Sequence, residues 1–287
     1  MARPTLTDLE LSKMSPKSPG FDTPARESWN PAMKQWLTLL DVYFSECLGC
    51  DIGAVGPGKT RVSASPRRES RELHYADVFP IWCFVTQNRC VVSVQRQLLG
   101  AVSKLVSGWD GPQFRNETAA ERLTATAAEE LGLGPDASYA AGPVFFCPPE
   151  TCRGERLHPC RAVADADRPA LDSAGLLDSS LIESVADGTC FAGFDGDQPV
   201  ALCGVCPVPH MADRVADISL NGTLESFRRQ GFGRTVLAAV TETVLARERL
   251  PFYVTSDRNI ASRRTAASVG YVEYGWQFRV KMPVQDE

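Results

Sequence analysis

Apolar residues along the first half of the chain fall into two rhythms. Between Trp29 and Leu48 they recur three and four apart (Met33, Trp36, Leu37, Leu40, Tyr43), the spacing of one helical face. Asn30-Pro31 offers that helix a cap and a preset first residue, and the Gly-rich stretch from Gly49 to Lys59 breaks it. The runs Phe79–Val85 and Cys90–Val94 are continuous and short, so they read as a strand pair turned by Thr86-Gln87-Asn88-Arg89. Helical spacing returns from Gln95 to Val106 and from Glu117 to Leu131, where Gly132-Leu133-Gly134-Pro135 stops it. Residues 1–27 have neither rhythm and are rich in Pro, Ser and charge, which predicts a flexible tail. Ser63–Arg71 reads as a polar connection. The segment Phe145–Glu155 carries Pro148-Pro149 and predicts neither a central strand nor a helix. A domain boundary is expected there, between a smaller α/β region at 28–145 and a C-terminal domain at 150–287.

The second half has a clearer beat. Asp165–Ala174 and Asp178–Val185 are helical candidates. Cys190–Phe194 and Pro199–Cys206 read as strands joined by Asp195-Gly196-Asp197-Gln198, a turn of the expected chemistry. Val215–Leu220 is a third strand, Gly233–Arg249 a long helix, Phe252–Thr255 a short buried strand, Asn259–Val269 a helix and Tyr271–Lys281 a last strand. Strands alternating with helices in this way predict an α/β sheet flanked by helices.

Composition narrows the function classes. Of 287 residues 44% are hydrophobic and 23% charged, which suits a globular core. A net charge of −5 argues against nucleic acid as a partner, because phosphate contacts need clustered Lys and Arg. No apolar run is long enough to span a bilayer, and Met1–Arg26 lacks the apolar stretch of a secretory signal, so the expectation is a cytoplasmic protein with no membrane partner. Its ten cysteines then read as reduced thiols. Cys147, Cys152, His158 and Cys160 lack the spacing of a zinc site, and Cys203 and Cys206 lie three apart on a strand, facing opposite sides; no metal is expected.

Between the third strand and its helix stands Arg228-Arg229-Gln230-Gly231-Phe232-Gly233-Arg234. A glycine-containing turn that opens a helix leaves main-chain N–H groups free at the positive end of the helix dipole, and that combination binds phosphate or pyrophosphate. It lacks the Lys-Ser/Thr of a P-loop and the third glycine of a dinucleotide site. Arg228-x-x-Gly231-x-Gly233 resembles the pyrophosphate signature of the GNAT superfamily of N-acetyltransferases, and Asn259-x-x-Ser262 running to Gly270-Tyr271 resembles that family's second conserved stretch. The resemblance covers about residues 155–281. It implies a GNAT-type mixed sheet in the C-terminal domain and acetyl-CoA, or another acyl-CoA, as cosubstrate. It further implies CoA contacts from Asn221, Gly222, Thr223, Arg228, Arg229, Gly231, Phe232, Gly233, Arg234, Asn259 and Ser262. A small-molecule or peptide amine would be the acceptor. The smaller region would be a degenerate copy of the same fold, walling the acceptor cleft or mediating a homodimer.

Eleven residues before Arg228 lies Asp217, where many members of the family carry a general base. An amine arrives mostly protonated and must lose a proton before it attacks a thioester, so a carboxylate has work there. The family's usual Tyr, donor to the leaving thiolate, is Ala266 in this chain. Thr265, Ser268, water or unaided departure are the alternatives. Arg263-Arg264 could meet the 3′-phosphate of CoA. His74, His158 and His210 read as solvated loop imidazoles.

Overall fold

The computed structural model describes residues 29–71, 77–86, 89–133 and 137–282. The expected tail at 1–27, the turn residues Gln87 and Asn88, the Gly134-Pro135 end of one helix stop, and His74 lie outside them. In chain order the main elements are α1 (Pro31–Leu48), β1 (Lys59–Ala64), β2 (Ile81–Thr86), β3 (Arg89–Val94), α2 (Leu99–Leu105), α3 (Gly111–Phe114), α4 (Glu117–Leu131) and β4 (Ser138–Phe146). They continue as β5 (Cys160–Ala162), α5 (Arg168–Ser173), α6 (Ile182–Ala186), β6 (Phe191–Asp195), β7 (Gln198–Cys206), β8 (Val215–Thr223), α7 (Phe232–Ala246), β9 (Leu250–Val254), α8 (Ile260–Val269) and β10 (Val272–Lys281).

The ten strands of the described residues join one mixed sheet, in the order β1-β3-β2-β10-β4-β9-β8-β7-β6-β5. The last strand of the chain therefore sits between strands of the first half, paired antiparallel to β2 on one side and to β4 on the other. One face buries Val102, Phe114 and Leu123 against β2, β3 and β10, and Val236, Val240 and Val269 against β7, β8 and β9. The opposite face is covered by α1 through Leu40, Tyr43 and Phe44, by α5 through Leu171, by α6 through Val185, and by Leu181 of the 3-10 turn before α6.

Local signals explain the elements that the sequence predicts well. The Asn30 side chain accepts a hydrogen bond from the Met33 N–H at 2.8 Å, Pro31 follows at the first helical position, and Gly49 ends α1 with φ 63°. Two expectations are corrected. Phe145 and Phe146 end a nine-residue strand in the middle of the sheet, because the pair Pro148-Pro149 follows only after the ladder is complete. The polar text at 63–71 overlaps β1, an edge strand that alternates exposed and half-buried residues, and continues into a 3-10 turn at Pro66–Glu69. Among the described residues, no helix is long and apolar enough to cross a membrane.

Candidate functional site

A gap opens where β8 and β9 part. These neighbours run parallel through the pairs Val215–Leu250, Ala216–Pro251, Asp217–Phe252 and Ile218–Tyr253, and there the ladder ends. Strand β8 continues to Thr223 with β7 as its one strand partner, while Val254 pairs with Val144 of β4. The edge of β8 from Ser219 to Thr223 thus keeps main-chain groups that no strand takes up on that side. A register shift between Leu202/Cys203 and Gly222/Leu220 inserts Asn221, which bends the strand here. Gly222 has φ 152°, and a Cβ built on it would meet nothing within 4 Å, so it borders open space.

At the end of β8 the chain makes a 3-10 turn, Glu225–Phe227, and enters α7 through Gly231, the cap residue, at φ 97°. Four other α-helices of the described residues receive a side-chain cap, from Asn30, Asp110, Asn116 and Asn259; α7 has none. The first N–H groups of α7 have no intrahelical acceptor by position, and the helix dipole adds positive charge. Arg229 (φ 63°) and Gly231 are both left-handed, a turn type whose successive N–H groups converge on an anion. A Cβ on Gly233 would come within 3.1 Å of Thr223 Oγ1, so that glycine is where the helix start passes the strand end. Arg228 Nε donates to the Thr223 carbonyl at 3.2 Å, and Arg234 pairs with Glu155 at 2.5 Å.

Gly222, Thr223, Arg228, Arg229, Gly231, Gly233 and Arg234 are thus gathered around the turn. Phe232 follows the cap, but its ring is buried in the core, leaving its main chain to the site. Asn221 points to the other face of the sheet, donating to the Leu176 carbonyl and to Asp178 Oδ2 at 3.2 and 2.7 Å. Asn259 accepts from the Ser262 N–H at 3.0 Å and caps α8; Ser262 Oγ lies 2.6 Å from the Tyr253 hydroxyl. These two residues tie α8 to the last rung of β9. Burial pushes the Tyr253 phenol up to about 12, so it stays protonated at neutral pH. Ala266, on α8, is fully buried in the core that α8 shares with α7. Arg263 is buried as well, and only Arg264 of that pair is exposed.

Asp217 is 7% exposed and sits on the rung before the last, opposite Cys206 on β7 and Phe252 on β9. Burial, and then the Asp217 charge, push the Cys206 thiol up to about 11. Cys206 donates to Ser180 Oγ at 3.6 Å, and Ser180 in turn donates to Asp178. The site therefore has two sides. On the α7 side are the glycine turn and arginines; on the α1 and α6 side are two carboxylates, hydroxyls and the α1 aromatics.

Two residues escape a sequence reading. His210 is half-buried, its Nε2 3.0 Å from the Tyr43 carbonyl and its ring 4.7 Å from the Tyr43 ring, which ties the β7–β8 loop to α1. His158 lies flat on Phe232 at 3.8 Å with its Nε2 2.6 Å from the Gln230 carbonyl. Neither is a solvated loop imidazole, and both contacts join residues too far apart in sequence to be foreseen. Among the described residues, no group of three His, Cys, Asp or Glu is placed to hold a metal ion; Cys203 and Cys206 pack on opposite faces of the sheet.

Residues 157–271 match the model of a family described as the acetyltransferase (GNAT) family. No curated protein matches the chain. Among solved structures, the chain is similar to an acetyltransferase from the GNAT family of Colwellia psychrerythraea (10% identity, 73% of this chain and 83% of that one, TM-score 0.44). It is also similar to a GCN5-related N-acetyltransferase of Kribbella flavida (20% identity, 57% and 64%, TM-score 0.42).

Proposed function

We propose, from the premise that residues 157–271 match the acetyltransferase (GNAT) family, that the protein is an acyl-CoA-dependent N-acyltransferase. Acetyl-CoA is the expected donor, and the acyl group passes directly to an amine. The observation that carries this reading is the ladder between β8 and β9, which ends in mid-sheet beside an uncapped, glycine-started helix. An extended arm ending in a pyrophosphate suits that pair of features, because one offers an unladdered strand edge and the other a cradle of N–H groups.

The donor brings a thioester carbonyl that an amine can attack. This chain's part is to hold and polarise it. Main-chain N–H groups of Gly231, Phe232, Gly233 and Arg234 take the pyrophosphate, with Arg228 and Arg229 adding charge. Asn221, Gly222 and Thr223 present main-chain groups to the arm, and an N–H near Thr223 stabilises charge developing on the carbonyl oxygen. Asn259 and Ser262 contribute by fixing α8 against Tyr253. Asp217 faces the acceptor side and takes the proton that the incoming ammonium must lose. Its carboxylate, with Asp178 nearby, also favours a cationic acceptor.

Ala266 motivates a second reading, a CoA-binding module without turnover, since no phenol stands at that position of α8. One screen separates the two. Thiol release is followed while the full chain is offered acetyl-CoA and longer acyl-CoAs with amines, polyamines, aminoglycosides, amino acids and peptide N-termini. Amine-dependent release with acylated product supports the transferase; tight CoA binding without release across the panel supports the module.

A further inference from the structure

The chain between β4 and β5 crosses the outer side of α7, from its C-terminal half to its first turn. Arg156 pairs with Glu242 at 2.5 Å, the Leu157 N–H donates to Thr235 Oγ1 at 3.0 Å, and His158 reaches Gln230. A Cβ on Gly231 would lie 2.8 Å from Leu157 Cδ1, so this strap presses on the cap residue itself.

We infer that His158 is a positioning residue for the anion-binding turn, acting through the Gln230–Gly231 peptide. The inference rests on the CoA-binding role proposed for that turn. A carbonyl oxygen only accepts, so His158 Nε2 carries the proton in the 2.6 Å contact with Gln230. The Gln230 carbonyl and the Gly231 N–H belong to one planar trans peptide, in which they point in opposite directions. Holding the carbonyl toward the strap therefore aims the Gly231 N–H away from it. Without that hold, the peptide between Gln230 and the left-handed Gly231 has no helical partner on its carbonyl to fix its orientation. The ring's stacking on Phe232 at 3.8 Å sets the imidazole plane, and the core around Phe232 sets the ring.

The test uses the full chain and three proteins: wild type, His158→Phe, which keeps a ring over Phe232 and removes the donor, and His158→Gln, which restores an N–H at similar reach. Each is titrated with CoA by calorimetry and with pantetheine, which lacks the pyrophosphate, by NMR. His158→Phe should weaken CoA binding about tenfold, the scale of one lost hydrogen bond. Pantetheine binding should be unchanged, and His158→Gln should recover most of the CoA affinity. Equal CoA affinity in wild type and His158→Phe would overturn the inference while leaving the functional reading intact. So would a parallel loss for pantetheine, which would mark a general distortion. Failure of the wild type to bind CoA would overturn the functional reading, and this inference with it.

Discussion

Two parallel strand pairs lie in the same sheet and end differently. Strands β1 and β3 stay paired over their whole length, from Lys59–Arg89 to Ala64–Val94. Strands β8 and β9 part after Ile218–Tyr253, with five residues of β8 still to run. Their exits differ too: β3 passes into a short helix whose cap residue is Leu98, whereas β8 passes into α7 through Gly231. Two features accompany the separation: the extra residue at Asn221 bends β8, and β9 runs on to Val254 with β4 paired along its opposite edge. The first half of the chain thus supplies the strand on the far edge of β9.

The largest expected effect comes from closing the turn. Replacing Gly231 and Gly233 together by Val puts a β-branched residue at φ 97° and against Leu157. CoA affinity should fall by more than about 100-fold, or roughly 2.7 kcal/mol, with far-UV circular dichroism unchanged. The matching change in the first half, Gly100→Val, meets nothing within 4 Å and should leave affinity alone. A folded double variant that still binds CoA normally would remove the turn from the site.

Asp217→Asn acts on turnover rather than on binding. As a base, Asp217 should be worth on the order of 10²- to 10⁴-fold in kcat, with CoA affinity kept. If it holds only the substrate cation, KM for the amine rises while kcat changes little. An unaltered kcat and pH profile would leave Asp217 as a strand carboxylate.

Smallest are two buried hydroxyls, one beside each parallel pair. Ser93 Oγ donates to the Leu48 carbonyl at 2.6 Å, and Ser262 Oγ bonds Tyr253. Each Ser→Ala change should cost about 1 kcal/mol in urea unfolding, yet only Ser262→Ala should also loosen CoA, because only it borders the gap. Equal effects on CoA would dissolve the distinction between the pairs.

Much of this fold is legible locally. Asn30-Pro31 and Gly49 bracket α1, Gly132 closes α4, and the glycines at 231 and 233 mark the turn without any tertiary knowledge. What stays hidden is non-local. Strand β4 reads Ser-Tyr-Ala-Ala-Gly-Pro-Val-Phe-Phe, without alternation, and shows itself only once β9 and β10 flank it. Strand β5 has three residues, too few for any pattern. His158 finds Gln230 across 72 positions, and Asn259 and Ser262, which look like ligand contacts in the text, are engaged with each other and Tyr253.

The most direct test of the account is hydrogen exchange of the full chain with and without CoA, read residue by residue. Added CoA should slow exchange at Ser219–Thr223 and Gly231–Arg234 and leave β1 and β3 unchanged. Protection that appears in the first-half pair instead, or none at either place while CoA is in excess, would contradict the claim that the parting of β8 and β9 makes the binding site.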